Sequence, residues 1–218
     1  IFFFMSWVQI GTWRNDFTLY RHAIAVAPGA SIVYMNLGVA LEKFGKFNEA
    51  INNYKIAVAL NDRQLTPHLN IGLAYLQSGR PAEAVPSLTR AVELQPNNTV
   101  PRYHLSRALL ESGKLEEAAA QVKQAQTLSP TPGMAASLQM QLGLIAYMRK
   151  DDATALTFFN EALRLDPTYG PARKNAGIAL GNMGRNAEAI EQLQIYLKSY
   201  PDDKGVEAAI AALRAAQK

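Results

Sequence analysis

The chain repeats itself every 34 residues, and this period limits its fold more tightly than any other feature. Helix-ending positions fall at Pro28, Asp62, Pro96, Pro130, Pro167 and Pro201, spaced 34, 34, 34, 37 and 34. Small residues at Gly38, Gly72, Ser106, Gly143 and Gly177 keep the same steps. So do Ala50, Ala84, Ala118, Ala155 and Ala189. All three rulers share the one irregular step, which places a three-residue insertion near Thr131-Pro132-Gly133-Met134-Ala135. Self-similarity at this period marks an array in which each unit buries its apolar face against its neighbours.

Each ruler has its own physical reason. A small residue in a first helix and an alanine in a second let the two helices approach closely. Between them stand Gly45, Gly79, Gly113 and Gly184, where a left-handed residue ends the first helix cheaply. Lys150 holds that place in the fourth unit. Proline cannot continue the second helix and marks its stop. Between these marks the apolar residues recur with a period of 3.6. In the first unit they are Leu37, Leu41 and Phe44, then Phe47, Ile51, Tyr54 and Val58. No stretch alternates as a strand with turn residues would. The expectation is an all-α array of helix pairs.

Composition narrows the function. The 218 residues are 49% hydrophobic and 18% charged, which is ordinary folded material. The absence of cysteine excludes disulfides, thiol catalysis and cysteine-built zinc sites. A net charge of +4 is spread among glutamates with no basic run, so no phosphate-tracking face and no nucleic-acid partner are expected. Ile1-Phe2-Phe3-Phe4-Met5-Ser6-Trp7-Val8 is far shorter than the ~20 residues that span a bilayer. It also lacks the charged start and cleavage site of a signal peptide. It reads either as a buried helix of the array or as the trimmed end of a transmembrane helix.

The stretch YMNLGVALEKFGKFNEAINNYKIAVALN resembles the tetratricopeptide-repeat (TPR) consensus. Tyr34, Leu37, Gly38, Leu41, Ala50, Tyr54 and Ala57 match it, and Asp62 replaces the family's proline. Five units fit: 31–64, 65–98, 99–132, 136–169 and 170–203. Residues 1–30 resemble an eroded further unit, with Gly11, Tyr20, Ala23 and Pro28 in place but Phe4 and Asp16 where small residues belong. Tyr196 stands where the fifth unit should have its second alanine. Residues 204–218 read as a capping helix, with Val206, Ile210 and Leu213 on the covering face. The resemblance implies a right-handed superhelical solenoid of antiparallel helix pairs that binds protein or peptide segments and carries no catalysis.

In that register the first helices line a concave groove. The inward positions are Met35, Asn36 and Val39; Leu69, Asn70 and Leu73; and Tyr103, His104 and Arg107. The fourth and fifth units add Met140, Gln141 and Leu144, then Lys174, Asn175 and Ile178. One column is apolar (Met35, Leu69, Tyr103, Met140) and its neighbour is largely amide (Asn36, Asn70, His104, Gln141, Asn175). An amide both donates and accepts, so such a ladder suits a peptide backbone. The expected partner is a mostly uncharged extended segment, although packing between helices is the competing use of both columns. The family's clamp for acidic chain ends would need Lys, Asn and Arg at Met35, Val39, Asn70, Val100 and His104, and only Asn70 fits.

No constellation for chemistry stands out. There is no nucleotide-binding loop, no nucleophile elbow and no His-Glu-x-x-His. His22, His68 and His104 lie in separate units, and His68 takes a packing position. Asp151-Asp152 reads as a solvated turn, and Asn97-Asn98-Thr99, formally a glycosylation sequon, as an inter-repeat turn. No cofactor or metal is expected. A second resemblance concerns the boundary carried by Trp13, Arg14, Asn15, Leu19 and Ala23 after the apolar Ile1–Val8. It looks like the junction in membrane O-mannosyltransferase-like proteins, where repeats follow a multi-spanning enzyme on the extracytoplasmic side. That resemblance implies an acceptor-recruiting domain at the extracytoplasmic face of a membrane. Without it a cytoplasmic location is the expectation.

Overall fold

The computed structural model describes residues 16–216, which form twelve α-helices and no strand. They are α1 (Asp16–Val26), α2 (Ser31–Lys43), α3 (Phe47–Leu60), α4 (Leu65–Gln77), α5 (Pro81–Leu94) and α6 (Thr99–Glu111). Then follow α7 (Leu115–Gln126), α8 (Pro132–Met148), α9 (Asp152–Leu165), α10 (Gly170–Asn182), α11 (Asn186–Ser199) and α12 (Lys204–Ala215). The chain divides into two compact units, Ile1–Gly113 and Lys114–Lys218, with the boundary in the turn after α6.

Within each unit the helices pack in chain order, α1 on α2, α2 on α3 and onward to α6, and again from α7 to α12. Turns of a few residues join the partners of each pair, so neighbours run antiparallel. First helices also touch one another, α4 with α6 and α8 with α10.

The turns follow from single residues. Gly45, Gly79, Gly113 and Gly184 have φ of 70°, 72°, 78° and 74°, and Lys150 shares their conformation at 65°. The first of these shows what the left-handed residue does. Gly45 N–H donates to the Glu42 carbonyl and Lys46 N–H reaches back to that of Leu41, at 2.8 and 3.0 Å. The pair of bonds satisfies carbonyls that a helix end otherwise leaves open. Arg80 to Tyr75, Asp151 to Ala146 and Arg185 to Leu180 repeat the long bond. Asn98, Thr131, Asp151 and Asp203 cap the starts of α6, α8, α9 and α12 with side-chain oxygens.

The core is built on the two spatial rulers. Ala50, Ala84, Ala118, Ala155 and Ala189 are all 0% exposed. Gly38, Gly72 and Gly143 each face a large buried side chain, Tyr54, Leu88 and Phe159. A methyl group added there would lie 2.4, 2.3 and 2.3 Å from it. The small residue thus makes room for the large one. The extra residues after α7 are taken up as an additional turn of α8, 17 residues long against 13 in α2, α4, α6 and α10.

Polar bonds join successive repeats at their edges. Arg80 donates to Asn48 at 2.8 Å and Asn182 to Asp152 at 3.1 Å. Asp62, in the place of the proline, accepts from Arg90 at 2.6 Å, and the buried ring of His68 lies 3.1 Å from the same carboxylate. The Arg90 guanidinium holds the Asp62 carboxyl below its ordinary range. At the far end α12 sets Val206 and Ile210 against Leu193. Tyr196 and Tyr200 stack at 4.7 Å between centroids, and Asp203 accepts from the Tyr196 hydroxyl and from Lys174.

Candidate functional site

The first helices of the Ile1–Gly113 unit carry nine of the candidate groove residues. Met35 and Asn36 on α2, Leu69, Asn70 and Leu73 on α4, and Tyr103, His104 and Arg107 on α6 are all half-buried, and Val39 is 37% exposed. Apolar surface here is therefore partly open to solvent on three helices. Its charge is muted, because Arg107 is paired with Glu111 at 2.7 Å. Tyr103 and His104 meet edge to face with centroids 5.0 Å apart. Burial pushes the His104 imidazole down to about 4, helped by the nearby Arg107 charge, so the ring is neutral at pH 7.

Part of the amide column is used by the protein itself. Asn70 hydrogen-bonds the phenol of Tyr54, whose side chain is wholly buried. That phenol donates to Glu42 Oε2 at 2.8 Å. Glu42, Tyr54 and Asn70 thus form one polar chain across α2, α3 and α4. Burial pushes both the Glu42 carboxyl and the Tyr54 phenol upward. Sequence reasoning missed Glu42, because its partners lie 12 and more residues away. The only signal was its place seven residues after Met35 on the same helical stripe.

The Lys114–Lys218 unit places its candidates differently. Met140 is 7% exposed and sits in the core with Leu156 and Phe159, and Gln141 is 4% exposed. These two positions lie in the interior rather than on an open face. Leu144 and Ile178 are half-buried. Lys174 donates to Asp203 at 2.8 Å and lies 5.6 Å above the Tyr196 ring, and Asn175 donates to the Pro171 carbonyl at 2.8 Å. Lys174 is thus held at the start of α12 and Asn175 on its own helix.

No group of residues that could hold a metal ion appears among the described residues. Asp151 caps α9 by accepting from Thr154 N–H at 3.0 Å, and Asn98 accepts from Val100 N–H at 3.0 Å in its turn. No helix among the described residues is long and apolar enough to cross a membrane. Trp13, Arg14, Asn15 and Ile1–Val8, which carry the resemblance to membrane O-mannosyltransferase-like proteins, lie outside the described residues, as do Phe4 and Gly11.

Three family models, each described as tetratricopeptide repeat, match residues 35–99, 75–142 and 175–203, together more than half of the chain. The chain belongs to the tetratricopeptide-repeat family, whose members are in general scaffolds for protein interaction. No curated protein matches it in sequence. Among solved structures it resembles a chain of the Cut9–Hcn1 hetero-tetramer of the APC/C, with a TM-score of 0.77 and 18% identity over 93% of this chain. It spans 40% of that chain. TTC0263, a thermophilic TPR protein of Thermus thermophilus, aligns at TM-score 0.67 and 23% identity, covering 85% of this chain and 100% of the other. YrrB, described as a TPR protein with an unusual peptide-binding site, aligns at 0.63 and 21%, covering 87% and 96%. At these identities the likeness speaks for the fold.

Proposed function

We propose that this chain is a non-catalytic binding module that holds an extended, mostly uncharged polypeptide segment on the first-helix face of its Ile1–Gly113 unit. The observation that carries this reading is the half-open apolar row of Met35, Leu69 and Tyr103, with Val39 and Leu73 beside it. A solvent-facing apolar row on the three first helices α2, α4 and α6 loses water on binding and gains ~25 cal/mol per Å² covered. The peptide-binding site named for YrrB, a similar fold, adds support. Asn36 and Asn70 flank the row and suit the backbone of a bound segment. In the Lys114–Lys218 unit the corresponding polar groups are already paired.

Peptides selected from a random heptapeptide library on the whole chain supply the probe. Replacing Leu69 or Tyr103 with alanine should each weaken them by about 1 kcal/mol or more. Affinity should change little between low and physiological salt, because the face carries few unpaired charges. A steep loss with salt, or selection of acidic peptides, would sink this reading in favour of attraction by the net positive charge.

A further inference from the structure

Val39 and Glu42 continue the stripe begun by Met35 on α2, at helical steps of four and three residues. Glu42 ends the stripe in the last turn of the helix, where the axial dipole favours a positive charge nearby. Its two oxygens are treated differently. Oε2 accepts from the Tyr54 phenol at 2.8 Å, whereas Oε1 is buried and has no hydrogen-bond partner among the described residues. None of the ion pairs among the described residues involves Glu42; the other carboxylates in the same unit that pair do so with Lys or Arg at the surface, Asp62 also lying against the buried His68 ring. A carboxylate oxygen withdrawn from water without a donor is costly, and the cost is lifted by a donor that arrives from outside. The Glu42 residue is itself only half-buried, so a donor arriving from solvent at the end of α2 reaches its side chain with a small adjustment there.

We propose that Glu42 receives the cationic head of one lysine or arginine of the bound segment, at the α2 end of the apolar row. This rests on the reading that the first-helix face holds such a segment. The phenol of Tyr54 fixes the carboxylate, and Asn70 on the same phenol joins the acidic site to the amide column. The partner is thus an apolar stretch with a basic residue toward one end, and its direction along the helices is set by that charge.

The test selects random heptapeptides on the full chain and on its Glu42→Gln variant, in which the amide oxygen still accepts from Tyr54. The native chain should enrich apolar peptides that carry one Lys or Arg. The variant should enrich the same apolar pattern without the basic residue. A selected peptide resynthesised with norleucine in place of its basic residue should lose about ten-fold in affinity for the native chain and nothing for the variant. Enrichment of apolar peptides without a basic residue by the native chain, or equal losses on both proteins, overturns the role of Glu42 and leaves the apolar-face reading standing. Enrichment of no peptide at all, or of acidic ones, overturns both.

Discussion

At the residue scale, a left-handed backbone at Lys150 and a buried imidazole at His104 each set a measurable quantity. Lys150 sits at φ 65° where the other repeats have glycine, a conformation that costs an L-residue about 1 kcal/mol or more. Lys150→Gly should therefore leave stability unchanged or raise it by up to ~1 kcal/mol, read from the urea midpoint, despite the general cost of a glycine in the unfolded chain. A clear loss would mean that the lysine side chain holds the turn. His104 sets a pH dependence. The unfolded chain takes up a proton on this ring near pH 6.5, but the folded ring resists until about 4. The contribution of His104 is thus complete above 6.5 and falls as pH drops toward 4, by at most about 3 kcal/mol. Glu42, pushed upward, acts in the opposite sense, its contribution being lost as pH rises through its raised value. The difference between the native chain and His104→Gln isolates the histidine. The variant should lack the loss between pH 6.5 and 5, and an identical loss in both proteins would show that His104 is not held neutral.

At the element scale, the fit of a small residue on one helix to a large one on the next holds each pair. Gly143→Ala would bring a methyl group within 2.3 Å of the wholly buried Phe159 ring, and Ala155→Leu would overfill the same pair. Each should cost ~1–3 kcal/mol in chemical denaturation. A silent Ala155→Leu would contradict the packing described for α8 and α9. These contacts were legible in the sequence because a spacing of 34 repeats the same pair of sizes at every unit. The left-handed turns were legible for the same reason, down to Lys150. Depth was not. Met140 and Gln141 occupy the register of groove residues but are interior, and α8 is apolar nearly all round, with Leu138, Leu142, Leu144 and Ile145 beside them. Periodicity marks a face only where a polar face contrasts with it. Nor could spacing show that Lys174 pairs with Asp203 across 29 residues, or that Tyr54 ties Glu42 to Asn70.

At the scale of the whole molecule, a chain of repeats keeps its ends stable only if their apolar faces are covered. Truncation after Asp203 removes α12 and uncovers Leu193, now 1% exposed. Each large side chain so exposed forfeits at most ~1.5–3 kcal/mol. The truncated chain should melt lower by circular dichroism and aggregate more readily, and equal stability would show that α12 is not a cover. The two units differ on this face. In one the apolar row is half-open, and in the other Met140 and Gln141 are buried and Lys174 and Asn175 are paired. The most direct test of this account maps amide chemical shifts of the labelled chain as a library-selected peptide is added. Shifts should concentrate on α2, α4 and α6, around Met35, Val39, Leu69, Leu73 and Tyr103, and should shrink with Leu69→Ala at the same peptide concentration. Shifts confined to the Lys114–Lys218 unit, or to the outer faces of α3 and α5, would contradict it.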